Sequence, residues 1–395
     1  MSIKVNNEDA LARFLHITEI PGKSCEELDV ANAIVELLLA AGVDKQQINF
    51  DNAHERTRLA GNVGNLIVTL PGNGKGPRTM LSAHMDTVPI CVGAKPVVQD
   101  DVVRSSEPTG LGADDRSGCT AILTAIVERL KAGDENFPPA VVGFFIQEEI
   151  GLEGAKNLDQ TLVGKVDRAF NFDGGTVDKI THGAIGGERM SLKLKGLPSH
   201  AGVAPEKGAS AIVMASKAIA ELEANGWLGK VEKPEGVGTA NVGVIQGGEA
   251  TNVVTPEVIL RAEARSHDSE MRTRIVAEIR GAFERAAASV CNDEGKCGEL
   301  EFDSNADYES FRLDEDHPSI GTAEKALKFV GREPSKAIAD GGLDANWLYL
   351  HGIEAVTIGC GQRDIHTADE WLCIKDYYDA CAIATWLITE GASGE

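Results

Sequence analysis

The chain of 395 residues is 43 % hydrophobic and 25 % charged, a balance that excludes wholesale disorder and leaves room for two or three domains. Its 61 acidic residues against 38 basic ones leave a net charge of −23, a field that repels a phosphate backbone and argues against nucleic-acid binding. The longest apolar run, 140–146, falls far short of the ~20 residues of a membrane helix. The first residues lack the basic start and apolar stretch of a signal peptide. No membrane partner and a cytoplasmic location are therefore expected.

In chain order, Ser24 and Glu27 have the spacing of a capping box. Leu28, Ile34, Val35 and Leu38 form the apolar stripe of a helix, and Gly42 ends it. Residues 65–70 (NLIVTL) read as a buried strand, followed by a glycine-rich turn at 71–76 and a second strand at 79–83. A helix at 117–131 and strands at 140–146 and 168–172 continue the alternation, which implies an α/β sheet with helices on both faces. The middle changes pattern. Strands at 188–195, 238–245, 253–264 and 299–302, with helices at 207–224 and 269–289, give the order β-α-β-β-α-β of a ferredoxin-like unit. A helix at 318–330, a strand at 355–358 and a helix at 374–388 then resume the first pattern. The expected organisation is an α/β domain built from 1–186 and 307–395, interrupted by an inserted domain at 187–306.

Acids and histidines recur where these strands end. His84-Met85-Asp86 lies just past one strand, with His84 and Asp86 on the same side. Asp114-Asp115 enters a helix, Glu148-Glu149 and Asp173 follow two further strands, and Asp364-Ile365-His366 follows the last. In α/β sheets, ligands bind beyond the carboxyl ends of the strands. Acids crowded there repel one another unless cations lie between them, and this mixture of imidazole and carboxylate suits zinc, or manganese or cobalt. The eight cysteines include no C-x-x-C pair and are expected to be free, mostly buried thiols.

The motifs SAHMDTVP, GLGADDRSG, QEEIGLEGA, FDGG, PSHAGVAPEKGASAI, TNVVTP, EARSHD, DGGLDAN and DIHTADEW run in order over nearly the whole chain. With them the sequence resembles the dinuclear zinc peptidase family that includes peptidase T, glutamate carboxypeptidase and aminoacylase, and most of all its peptidase T branch. The resemblance implies a catalytic domain with a mixed sheet flanked by helices, and an inserted ferredoxin-like lid through which dimeric members pair. It implies two Zn2+ per subunit, replaceable by Co2+ or Mn2+: His84 and Asp173 on one, Glu149 and His366 on the other, and Asp114 bridging them. Asp86 would hold the His84 ring, Glu148 would be the general base, and His200 would stabilise the oxyanion with help from Asn252. Arg265 would clamp the substrate carboxylate, and Gly341 and Gly342 would let backbone approach the substrate. Arg116, Leu343 and Ser210 stand where the family usually has lysine, serine and asparagine; these departures bear on substrate subsites and remove no ligand.

The activity implied is removal of the N-terminal residue from short peptides, above all tripeptides. The same metals and base would serve a deacylase of N-acyl amino acids or a dipeptidase. Nucleotide chemistry is disfavoured: 110–115 lacks the third glycine of a dinucleotide fingerprint and carries acids where phosphate would sit, and 72–76 lacks P-loop spacing.

Overall fold

Strands that are apolar along their whole length need cover on both faces, and the segments LIVTL, TMLSAH and AVVGFF are buried almost without interruption. In the computed structural model, which describes residues 3–72, 75–133 and 137–390, they lie inside a mixed sheet. Its order is Ile48–Phe50, Leu66–Leu70, Ala140–Phe145, Thr79–His84, Arg168–Phe172, Ala355–Ile358 and Lys179–Ala184, with Ser335–Ala339 paired to the last of these. The four strands from Ala140–Phe145 to Ala355–Ile358 run parallel. Their carboxyl ends therefore share one edge, where His84, Glu148, Glu149 and Asp173 follow directly. Helices Ala113–Ala132, Pro318–Phe329, Asp344–Leu350 and Ile374–Thr389 flank the sheet.

The chain divides into two compact units, residues 1–184 with 312–395, and residues 185–311. The second unit is an antiparallel five-stranded sheet in the order Gly229–Lys233, Gly236–Gly247, Glu257–Ser266, Gly186–Lys195, Glu299–Tyr308. Helices Ala211–Ala224 and Ser269–Ser289 share one apolar core with it, including Leu192, Leu194, Met214, Leu222, Leu260, Ile279 and Phe283. This is the ferredoxin-like order with an extra edge strand, Gly229–Lys233. Its sequence GKVEK buries only Val231, so no alternation marks it.

Several expectations need correction. The Ser24–Glu27 capping box does not form: the helix Leu28–Ala41 has Glu27 itself at its N-cap without a side-chain cap bond. The Ser24 hydroxyl is taken by Asp86, and the Glu27 carboxylate accepts from Cys25 and Gln147. Helix Ala211–Ala224 begins four residues later than expected, because the Ser210 hydroxyl accepts from Val213 N–H as its cap. Cys291 and Cys297 are not free thiols: they face each other across an isolated antiparallel bridge and form a disulfide. The other six cysteines are free, with Cys91, Cys119, Cys360 and Cys381 buried. Of the expected turn at 71–76, Asn73 and Gly74 lie outside the described residues. Among the described residues no helix is long and apolar enough to cross a membrane.

Candidate metal centre

His84 closes its strand as a buried residue. Its Nε2 lies 3.1 Å from Asp114 Oδ1, while its Nδ1 lies 3.1 Å from the Asp86 carbonyl and 3.4 Å from Asp86 Oδ1. A histidine held through one nitrogen presents the other in a fixed direction. Asp114 faces a second imidazole with its other oxygen, His366 Nε2 at 3.3 Å from Oδ2, and His366 Nε2 is also 2.9 Å from Glu149 Oε2. Asp173, at the end of the neighbouring parallel strand, accepts at 3.2 Å from Gln362 Nε2. Ligand atoms of His84, Asp114 and Glu149 lie within 4.8 Å of one another, as do those of His84, Asp115 and Asp173. The sequence shows Asp115 beside Asp114 but assigns it no role. Its oxygens accept from the backbone N–H of His84 and of Gly118, so it anchors the first turn of the helix and the strand end.

The backbone departs from regular geometry around these side chains. Helix Ala113–Ala132 has non-helical dihedrals at Asp114 and Asp115, and the peptide bond between them is cis. His366 and Asp364 have φ of 62° and 52°, the left-handed region that residues with a Cβ seldom occupy outside functional sites. Their loop joins the paired strands Gln362–Arg363 and Trp371–Cys373, and Trp371 Nε1 donates to Asp364 at 2.8 Å. Asp86 does more than orient a ring: Glu148 N–H and Glu149 N–H donate to it at 3.0 and 3.2 Å, so one carboxylate aligns the turn that carries both glutamates.

The electrostatics test whether cations fit. Although burial opposes it, hydrogen bonds from His366 and His84 hold the Asp114 carboxyl well below the usual range. Burial disfavours a charged His84, but its bonds to Asp114 and Asp86 raise it well above an ordinary imidazole. His366, bonded to Asp114 and Glu149, is raised to about 10. Against them, burial pushes Glu149 up to about 7 and, with Asp114 nearby, Asp173 up to about 6. Burial likewise raises Glu148, Asp115 and Asp344 well above the carboxylate range. Both oxygens of buried Asp344 lack a hydrogen-bond partner. So much uncompensated buried negative charge, with imidazole and carboxylate donors converging, is the donor set a pair of divalent cations satisfies.

Glu27, which the sequence suggests as part of a local cap, supports this centre from behind through backbone groups. Its Oε1 accepts from Cys25 and Gln147 N–H at 3.0 Å each. Burial, with Asp86 nearby, raises it from 4.5 to about 8. The folded protein thus keeps a proton that the unfolded chain releases, and stability falls as pH rises between those two values. Glu27→Gln keeps an acceptor oxygen and removes the titration. Its metal-stripped form is expected to lose less melting temperature from about pH 5 to pH 8 than the metal-stripped parent; equal losses would contradict the assignment.

The other five expected site residues are described within their own units. Gly341 and Gly342 belong to the same unit, in the turn before helix Asp344–Leu350, with open space around Gly341. In the second unit, exposed His200 pairs through its backbone with Val253, and its Nδ1 accepts from Gly202 N–H. The Asn252 carbonyl accepts from Ala201 N–H at 2.9 Å. The Arg265 guanidinium donates twice to Glu263, both at 3.2 Å.

Comparison with known proteins places this geometry among relatives. Residues 80–390 match Peptidase family M20/M25/M40. A crystal structure of a tripeptidase from Staphylococcus aureus superposes with a TM-score of 0.88 at 30 % identity, covering 99 % of this chain and 100 % of that one. The aminopeptidase PepT of Bacillus cereus gives 0.84 at 31 % identity with the same coverage. An uncharacterised protein of Bacillus subtilis, YqjE, is 34 % identical over 98 % of this chain and all of its own length.

Proposed function

The chain belongs to the M20/M25/M40 peptidases, a metal-dependent family of hydrolases, and from that premise we propose that it removes the N-terminal residue from short peptides, above all tripeptides. The observation that carries this reading is the convergence of His84, Asp114, Glu149 and His366 at the strand ends, in a chain that is 30 % identical to a tripeptidase along its full length.

His84 and Asp173 would hold one divalent ion, Glu149 and His366 the other, and Asp114 would lie between them; zinc is the ion we assign to this donor set. Ions bound there supply a nucleophile near neutral pH and offset negative charge on the carbonyl oxygen. Glu148 takes the proton of the attacking water and returns it to the leaving amine nitrogen as the C–N bond breaks, leaving a free amino acid and a shortened peptide. Asp86 aligns Glu148 and Glu149 through their N–H groups. His200, with Asn252 beside it, is assigned to the oxyanion, and Arg265 to the substrate carboxylate, for which its guanidinium must exchange Glu263 for the ligand. Gly341 and Gly342 lend backbone to the substrate. A homodimer formed through the inserted unit and a cytoplasmic setting belong to the same reading.

His200→Ala is expected to lower kcat by ~10²–10³-fold while leaving metal content unchanged, the cost of losing one oxyanion donor. Steady-state kinetics with metal analysis checks this, and an unaltered kcat would return His200 to an ordinary loop histidine.

A further inference from the structure

The first N–H groups of a helix have no partner inside it, and they are usually capped by a side chain just upstream. Gly112, at the N-cap of helix Ala113–Ala132, has no side chain to offer, and the Asp115 carboxylate, which takes Gly118 N–H, leaves the N–H groups of Gly112 and Asp114 to another acceptor. The acceptor comes instead from 258 residues away: Gly112 N–H donates to Glu370 Oε2 at 2.7 Å, and Asp114 N–H donates to Glu370 Oε1 at 3.1 Å. The Cys91 thiol donates to the same Oε2 at 3.4 Å. Glu370 is 2 % exposed and belongs to the loop that carries His366.

We infer that Glu370 is a positioning residue of the metal centre: its carboxylate fastens the loop bearing His366 to the peptide of Asp114, and so fixes how far apart the two imidazoles facing Asp114 stand. This rests on the reading that the centre holds two ions. Two observations support it. A Cβ at Gly110 would lie 2.9 Å from the Thr367 carbonyl and 3.1 Å from Glu370 Oε2, so that glycine is what lets the two segments touch. The His366 loop is tied internally by Thr367 Oγ1, which donates to the Asp364 carbonyl at 2.6 Å, and externally by Arg104 of the strand Val102–Ser105, which donates to the Asp369 carbonyl at 3.0 Å, so a hold on Glu370 is transmitted to His366. Three donors on two oxygens need a carboxylate. Glutamine offers one acceptor oxygen and turns an NH₂ toward the remaining donors.

The test is calorimetric titration of the metal-stripped full-length protein with Co2+, with metal analysis, for the parent and for Glu370→Gln, alongside Glu370→Ala and thermal melts of each stripped protein. Glu370→Gln is expected to weaken one of the two binding steps by ~10–100-fold while the other stays within about threefold. Glu370→Ala is expected to weaken the same step further; if it fails to fold, the glutamine variant decides alone. Unchanged affinities, with or without a lowered melting temperature, would overturn the role of Glu370 and leave a structural cap only. A parent that takes up fewer than two ions contradicts the metal-centre reading itself, whatever the variants do.

Discussion

Glu148→Gln is expected to reduce turnover by about 10²–10⁴-fold, the contribution of a positioned general base, with fold and metal content unchanged. Glutamine has the shape of glutamate but cannot accept the proton of the attacking water. The hold on this residue survives the substitution, because Asp86 grips its backbone N–H rather than its side chain. Burial raises the Glu148 carboxyl well above the usual range despite the opposing pull of His84, the direction in which a general base is tuned. Measuring kcat beside metal stoichiometry checks this. A variant at near-parental rate would remove Glu148 from the base role.

Asp114→Ala is expected to lose at least one of two ions and most activity with it. Among the described residues no other carboxylate pairs with both imidazoles: Oδ1 faces His84 at 3.1 Å and Oδ2 faces His366 at 3.3 Å. Without it His84 keeps Asp86, and His366 keeps only Glu149. Metal analysis after dialysis against a weak chelator gives the stoichiometry directly. An unchanged count would contradict the bridging role.

Much of this centre was legible in the sequence because its residues stand immediately after apolar runs. His84 ends TMLSAH, Glu148 and Glu149 come just after AVVGFF, and Asp173 follows RAFNF; parallel pairing of those strands does the rest. What escaped notice are side chains whose partners are backbone groups far along the chain. Glu370 and Glu27 leave no periodic pattern, and Ser24 with Glu27 imitated a local cap while each was engaged elsewhere. Asp115 was shadowed by its neighbour Asp114, although an acid pair at a helix entry is a signal that the two have separate tasks. The Cys291–Cys297 pairing was hidden because six residues of separation look unremarkable until a turn brings the two segments together.

The central claim is that the centre cleaves the first peptide bond of a peptide with a free amine. Zinc-loaded protein given a free tripeptide and its N-acetylated twin side by side tests that claim most directly. The account predicts release of the first residue from the free peptide and none from the acetylated one. Removal of the acetyl group with the free peptide left intact would contradict it and assign the chain to deacylation.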